Sequence, residues 1–159
     1  MKYLIIGSGM QGRACAYDLL KDPRTEKVVL ADVSEKGLSS VKGWLKSSKV
    51  ETKKLDASDL TAVKKLAHGF DVTVSCVPYF FNLGLAKAAI EAGTHFIDLG
   101  GNTDIVRQEL ALHDQAKKRG VTVIPDNGLC PGMINTVAVA AMEKLDKTDE
   151  VLIRDGGLP

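Results

Sequence analysis

Three glycines near the N-terminus have the spacing of a phosphate-binding turn. The segment Gly7-Ser8-Gly9-Met10-Gln11-Gly12 follows the apolar run Leu4-Ile5-Ile6 and opens a helix-length stretch, which is the context that a dinucleotide-binding fingerprint requires. Gly7 allows a tight turn, Gly9 lets a pyrophosphate approach the backbone, and Gly12 lets the helix pack closely on the sheet. The helix N-terminus then presents free N–H groups and a positive dipole end to the phosphates.

An acidic residue stands where the ribose of such a cofactor would lie. Asp32 ends a predicted strand, 20 residues beyond Gly12, and a carboxylate at about that distance accepts hydrogen bonds from the adenosine ribose hydroxyls. Because a carboxylate repels a 2′-phosphate, the sequence favours NAD over NADP. Lys36 is close by along the chain and leaves NADP as an alternative.

Three later loops are rich in Gly, Pro, Asn and Asp. They follow the fourth, fifth and sixth predicted strands, at Ser75–Asn82, Asp98–Asn102 and Pro125–Met133. Ligands of open α/β sheets bind beyond the carboxyl ends of the strands, so we expect these loops to converge on one rim and form a nicotinamide and substrate mouth. Asp56, after the third strand, is placed to reach the adenine. For each loop alone, turn chemistry is the competing explanation.

The elements that must position these residues alternate along the chain. Short β-rich runs are predicted at Lys2–Ile6, Lys27–Asp32, Val50–Lys54, Asp71–Cys76, His95–Asp98, Val121–Ile124 and Glu150–Arg154. Amphipathic helices are predicted at Met10–Lys21, Glu35–Ser47, Asp59–Ala67, Leu83–Ala92, Asp104–Arg119 and Met133–Leu145. Repeated β-then-α order with continuous apolar strands predicts an α/β fold, a doubly wound and mostly parallel sheet in a three-layer αβα arrangement of the Rossmann type.

Length and composition limit the alternatives. The 159 residues are 45% hydrophobic and 26% charged with a net charge of +1, which predicts one globular domain and gives no basic field for nucleic acid. No apolar run reaches the roughly 20 residues of a membrane span. Three scattered cysteines fit neither a disulfide framework nor a zinc site, so we predict no metal and a reducing, cytoplasmic setting.

Two residues attract a catalytic interpretation that the sequence does not support. Cys130 precedes a predicted helix, where a thiol pKa can be lowered, but no histidine is placed to act as its base. His95 opens the fifth strand, at the end away from the ligand rim, and is expected to be structural. We therefore assign no catalytic residue.

The chain resembles the saccharopine dehydrogenase-like family, especially its lysine 6-dehydrogenase-type members. The resemblance rests on Gly7–Gly12, Ser75–Pro78, Ala92–Thr103, Pro125–Met133 and the closing segment Arg154–Pro159. It implies an NAD(P)-dependent oxidoreductase that acts at a C–N bond of an amino-acid substrate, commonly as a dimer. The cofactor contacts that it implies are Gly7, Gly9, Met10, Gln11, Gly12, Asp32, Asp56, Cys76, Val77 and Pro78, with Gly100, Asn102 and Gly132 in addition.

One departure from the family bears on activity. Family members continue past this closing segment into a substrate-binding and dimerisation domain, so we expect residues 1–159 to be the cofactor-binding domain alone. The apolar end Leu158-Pro159 is then expected to leave an exposed surface. The alternative function is a nucleotide-sensing regulatory Rossmann module of the potassium-transport type, which shares the fingerprint and Asp32 but does not predict the later loops.

Overall fold

Six parallel strands form one sheet in the computed structural model, which describes residues 1–154 and residue 156. The strands are β1 (Lys2–Ile6), β2 (Lys27–Asp32), β3 (Val50–Lys54), β4 (Val72–Ser75), β5 (His95–Asp98) and β6 (Val123–Ile124). They lie side by side in the order β3-β2-β1-β4-β5-β6. This is the doubly wound order of dinucleotide-binding sheets, and it confirms the predicted fold class.

Helices connect the strands and cover both faces of the sheet. They are α1 (Met10–Leu19), α2 (Glu35–Leu45), α3 (Leu60–Ala67), α4 (Asn82–Ala92), α5 (Thr103–Leu110), α6 (His113–Arg119) and α7 (Met133–Met142), with a 3₁₀ turn at Tyr79–Phe81. The strand order reverses between β1 and β4, which pair directly with Ile6 opposite Ser75. Their carboxyl ends therefore flank the crevice in which such folds bind ligands.

Alternation along the central strands builds two cores. On β1, Leu4 and Ile6 belong to one buried cluster, while Tyr3 and Ile5 belong to the other. Successive strand side chains point to opposite faces, so each apolar run anchors helices on both sides. This explains why β1 has the continuous apolar run Leu4-Ile5-Ile6, which is typical of a parallel strand buried on both faces.

Two predicted elements are wrong. The single helix expected at Asp104–Arg119 is divided into α5 and α6, because Leu112 N–H bonds to Glu109 C=O, three residues back, and the regular helical ladder stops there. The strand expected at Glu150–Arg154 is not a strand. Its apolar side chains suit a strand, but no described strand pairs with it, and it borders α7 instead.

Of the remaining elements, β1, β2, β3 and β5 have the predicted bounds, and the others differ by one to three residues at an end, as is usual for fraying ends. The closing part of the resemblance, Asp155 and Gly157–Pro159, lies outside the described residues. None of the helices in the described ranges is long and apolar enough to cross a bilayer.

Candidate cofactor site

The first two fingerprint glycines have different surroundings. Gly7 has a φ of +106°, and a Cβ on it would lie 2.6 Å from the carbonyl oxygen of Cys76. A Cβ on Gly9 would meet no atom within 4 Å. Gly7 is therefore required by the packing of β1 against β4, whereas Gly9 is exposed and faces open space, as a position that must admit a ligand should.

The third glycine packs the helix on the turn. A Cβ on Gly12 would collide with the carbonyl oxygen of Gly7, so α1 approaches the turn as closely as a backbone can. Helix α1 begins at Met10 without a side-chain cap. Its first N–H groups are thus left for another acceptor, and the exposed residues Met10 and Gln11 stand at this open end.

A cavity of about 340 Å³ opens beside the turn, at the reversal point of the sheet. It is lined by seven of the predicted site residues, Gly7, Gly9, Asp32, Asp56, Cys76, Val77 and Pro78. Its remaining walls are apolar and were not predicted as site residues: Ile6, Ala31, Val33, Leu55, Ala57 and Phe81. Their positions in the sequence could have identified them as wall residues, because Leu55 and Ala57 flank Asp56 and Phe81 lies in the loop after β4.

Asp32 is held in place by three hydrogen bonds. Its Oδ2 accepts from the Ser8 N–H at 2.7 Å and from the Ser8 hydroxyl at 2.8 Å, while its Oδ1 accepts from the Ser34 N–H at 2.8 Å. Burial alone would raise the pKa of Asp32, but the hydrogen bonds from Ser34 and Ser8 outweigh it and hold the pKa below its usual value. The carboxylate is therefore charged, and Oδ1 keeps a lone pair for a ribose hydroxyl.

Asp56 is exposed at the outer side of the same cavity. Its Oδ1 accepts from the hydroxyl of Ser58 at 2.7 Å and from the Ser58 N–H at 2.8 Å. These bonds lower the pKa of Asp56, the hydroxyl contributing most. Asp56 is thus a charged acceptor on the side of the cavity formed by β2 and β3.

Cys76 contributes its backbone to the site. Its carbonyl oxygen faces Gly7, and its thiol neighbours the thiol of Cys15 on α1. The neighbouring Cys15 thiol and burial raise the pKa of the Cys76 thiol. Cys76 is therefore a neutral packing residue at neutral pH and not a nucleophile.

Six predicted contacts do not line this cavity. Met10, Gln11 and Gly12 lie in the first turn of α1 beside it, and Gly100, Asn102 and Gly132 each form part of a turn farther away. Gly100 has a φ of +73°, and a Cβ on it would collide with the Asp126 carboxylate. Asn102 caps α5, accepting from the N–H groups of Asp104 at 3.0 Å and Ile105 at 3.1 Å. Gly132 has a φ of +130° and packs against the Gly128 backbone.

The loops after β4, β5 and β6 do converge. A Cβ on Gly101 would lie 3.2 Å from the Tyr79 side chain, which joins the second loop to the first. The Asn127 N–H donates to the Asp98 carbonyl at 2.9 Å, which joins the third loop to the second. A concavity of about 350 Å³ between them is lined by Asn102, Asp126 and Cys130 among others. The predicted shared rim is confirmed.

The two residues that invited catalytic interpretations have simpler roles. The Nδ1 of His95 accepts from the Thr122 N–H at 2.9 Å, which confirms its structural role. Cys130 is an exposed free thiol. In the described part of the chain, no group of three or more His, Cys, Asp or Glu side chains is placed to hold a metal ion.

The chain matches one protein family across most of its length. The family described as "Saccharopine dehydrogenase NADP binding domain" matches residues 3–124. The saccharopine dehydrogenase [NADP(+), L-glutamate-forming] of Saccharomyces cerevisiae is 26% identical over 98% of the chain, and its counterpart in Pyricularia oryzae is 29% identical over 98%. The chain spans about a third of the length of these relatives, 34% in both cases.

A solved structure agrees on the fold. Apo saccharopine dehydrogenase (L-Glu forming) from Saccharomyces cerevisiae superposes with a TM-score of 0.72 at 24% identity, covering 90% of this chain and 31% of that one. A shikimate 5-dehydrogenase from Mycobacterium fortuitum superposes with a TM-score of 0.63 at 17% identity, covering 89% of this chain and 49% of the other. None of the proteins named here supports the regulatory-module alternative.

Proposed function

The chain belongs to the saccharopine dehydrogenase NADP binding domain family, and on that premise we propose that it is the cofactor-binding part of an NAD(P)-dependent oxidoreductase. The reaction is oxidation of an amine at a C–N bond of an amino-acid substrate, with later hydrolysis of the imine. The nicotinamide supplies the hydride acceptor when it is bound. The names of the fungal relatives, saccharopine dehydrogenases, support this substrate class.

The observation that carries the proposal is the open position of Gly9. At Gly7 and Gly12, backbone atoms occupy the place that a Cβ would need. At Gly9 that place is open, beside the uncapped start of α1. A pyrophosphate that binds there would accept hydrogen bonds from the free N–H groups of α1 and meet its positive dipole end. The residues present therefore fit a dinucleotide.

The remaining site residues have proposed roles along that ligand. Asp32 and Asp56 lie on the adenosine side, with Leu55 and Ala57 as apolar walls for the base. Cys76, Val77 and Pro78 line the opposite wall, toward the nicotinamide. Gly100, Asn102 and Gly132 shape the rim through backbone turns. We also propose that the enzyme acts as a dimer and binds its amino-acid substrate with a further domain.

The choice between NAD and NADP rests on two opposed observations. NADP is named in the family description and in the names of the fungal relatives, and this favours NADP as the cofactor. Asp32, a fixed carboxylate at the ribose position, favours NAD in this chain because it would repel a 2′-phosphate. We propose that Asp32 gives this chain the NAD preference.

Titration of the purified chain with NADH and NADPH, followed by nicotinamide fluorescence, tests both parts. The proposal expects saturable binding, with NADH bound more tightly. Asp32→Ala should shift the NADPH-to-NADH affinity ratio about tenfold toward NADPH, since removal of one charge repulsion is worth on the order of 1.4 kcal/mol. Asp59→Ala is the control, because Asp59 caps α3 outside the cavity. An Asp32→Ala chain with an unchanged ratio would remove the basis for the NAD preference, and no binding of either dinucleotide would refute the proposed function.

The substrate class is tested separately, by amine oxidation. Lysine, saccharopine and carboxylated polyamines would each be supplied with NAD or NADP and formation of the reduced nicotinamide followed. Turnover of one of them would support the dehydrogenase. Turnover of none, with dinucleotide binding intact, would limit the chain to cofactor binding.

A further inference from the structure

Asp98 organises the far side of the rim from a fully buried position. It ends β5, is 0% exposed, and its Oδ1 accepts from the Gly100 N–H at 2.7 Å and from the Asp126 N–H at 3.1 Å. One carboxylate oxygen therefore fixes the starts of two loops at once. Its other oxygen, Oδ2, is buried and meets no N–H or hydroxyl donor of the described residues.

Glu109 is a second buried carboxyl beside it. It is the one residue of α5 that is buried, at 2% exposure. Both of its oxygens are buried without an N–H or hydroxyl donor from the described residues, and the carboxyl group lies within hydrogen-bonding reach of Asp98. A charged carboxylate without a donor in such a place would be very costly.

The charged groups around Glu109 do not remove this cost. Asp126, in the loop after β6, adds a second negative charge. His113 and Lys117 of α6 line a cavity of about 270 Å³ together with Glu109, but neither donates a hydrogen bond to its carboxyl oxygens. Asp104 and Arg107, on α5 itself, pair with each other at the surface.

One proton shared between Asp98 and Glu109 would satisfy both carboxyl groups. Two carboxyl groups in contact, with no other donor, can form a hydrogen bond only if one of them is protonated. Asp98 is the better anion because two N–H groups already donate to its Oδ1. Glu109 has no such donor, so the proton belongs on Glu109.

We propose that Glu109 is a positioning residue, protonated at neutral pH, which donates its proton to Oδ2 of Asp98 and so holds the loops after β5 and β6 in place. Burial first, and then the charge of Asp98, raise the pKa of Glu109 to about 8, in agreement with this geometry. Loss of the proton above that pH would place two charges side by side and loosen the loops that carry Gly100 and Asp126. The inference goes beyond the cofactor function and does not depend on it.

Infrared spectroscopy tests the protonation directly. A protonated carboxyl gives a C=O stretching band that an ionised one lacks. The wild-type chain should show a band at pH 6.5 that disappears by about pH 9.5, and the band should be absent from Glu109→Gln. A pH 6.5 spectrum without a band assignable to Glu109 would overturn the proposal.

Amide hydrogen exchange tests the effect on the loops. After correction for the intrinsic pH dependence, protection of the Gly100 and Asp126 amides in the wild type should fall about tenfold per pH unit above pH 8, since one proton is lost. Glu109→Gln, whose amide can still donate to Asp98, should keep its protection across this range. Glu109→Ala should lack the protection at every pH. The Cys76 amide, which bonds to the Ile6 carbonyl at 2.7 Å on the other half of the rim, is the internal control.

The outcomes separate this inference from the proposed function. A wild-type pH dependence that persists in Glu109→Gln would assign it to another group and refute the inference, even if Glu109→Ala fails to fold. Failure to bind NADH or NADPH, with the exchange pattern as expected, would refute only the proposed function.

Discussion

The two halves of the sheet rim reach a fixed shape by different physical means. Around β1, β2, β3 and β4, glycines bring backbone against backbone, and two carboxylates, Asp32 and Asp56, line a cavity whose remaining wall is small or apolar. Around β5 and β6, a buried pair of carboxyl groups, Asp98 and Glu109, joins the loops. The first half should therefore be intolerant of added volume and insensitive to pH near neutrality, where Asp32 and Asp56 stay charged because hydrogen bonds hold their pKa values below the usual range. The second half should be sensitive to pH and to loss of a single proton.

The difference fits the tasks proposed for the two halves. The adenosine and pyrophosphate are the same in every turnover, so a rigid backbone cradle suits them. The proposed mouth for nicotinamide and substrate also includes the loops after β5 and β6, which depend on side chains for their shape. The difference also predicts which substitutions are severe.

The largest effect is expected at Gly12. Gly12→Val places side-chain atoms against the Gly7 carbonyl oxygen, so α1 must move away from the turn. Such overpacking should lower the free energy of unfolding by about 3 kcal/mol, measured by urea denaturation. Gly43→Val is the matched control, because a Cβ on Gly43 meets nothing within 4 Å. Equal stability of the two variants would contradict the claim that backbone contacts fix the shape of the first half of the rim.

A smaller loss is expected at Gly100, on the other half. Gly100→Ala puts a Cβ at a φ of +73° and against the Asp126 carboxylate. We expect the free energy of unfolding to fall by about 2 kcal/mol, the cost of a residue strained in this backbone region. Affinity for the dinucleotide should change less than threefold, because Gly100 lies outside the cavity. A large affinity loss would show that the two halves are not separate.

The smallest effect is the pH dependence of stability. Glu109 holds its proton more tightly in the folded chain, with a pKa raised to about 8. Between its unfolded pKa and that value the folded state binds more protons, so the free energy of unfolding falls as pH rises. From pH 6 to pH 7 the wild type should lose about 1 kcal/mol more than Glu109→Gln does, since a full proton is worth about 1.4 kcal/mol per pH unit. Parallel stability curves for the two chains would contradict the protonated pair.

Local patterns were enough to predict the first half of the rim. Gly7, Gly9 and Asp32 are set by a short strand, a turn and the next strand, and the strand order follows from repeated β-then-α units. The contribution of Ser8 was not predicted. Its two hydrogen bonds to Asp32 depend on how the turn after β1 meets the end of β2, which is a tertiary contact that spacing does not encode.

The carboxyl pair of the second half could not be predicted, because a buried glutamate runs against the usual pattern of an amphipathic helix. A glutamate in a predicted amphipathic helix is expected at the surface, yet Glu109 is buried. The break that separates α5 from α6 has no Gly or Pro to announce it. The strand expected at 150–154 failed for a related reason, since apolar residues alone do not supply a pairing partner. Burial of Glu109 becomes visible only when its carboxyl group is placed beside Asp98, at the end of β5.

Dinucleotide binding at the glycine turn depends most directly on Gly9. Titration with NADH should show binding by the wild-type chain and by Gly43→Val, with similar affinity. Gly9→Val should bind at least about tenfold more weakly, a difference of 1.4 kcal/mol, because the added side chain occupies the space beside the start of α1. Its unfolding midpoint should stay close to that of the control, since no protein atom lies within 4 Å of that Cβ position. Unchanged NADH affinity in a folded Gly9→Val chain would contradict the central claim that this turn binds the dinucleotide.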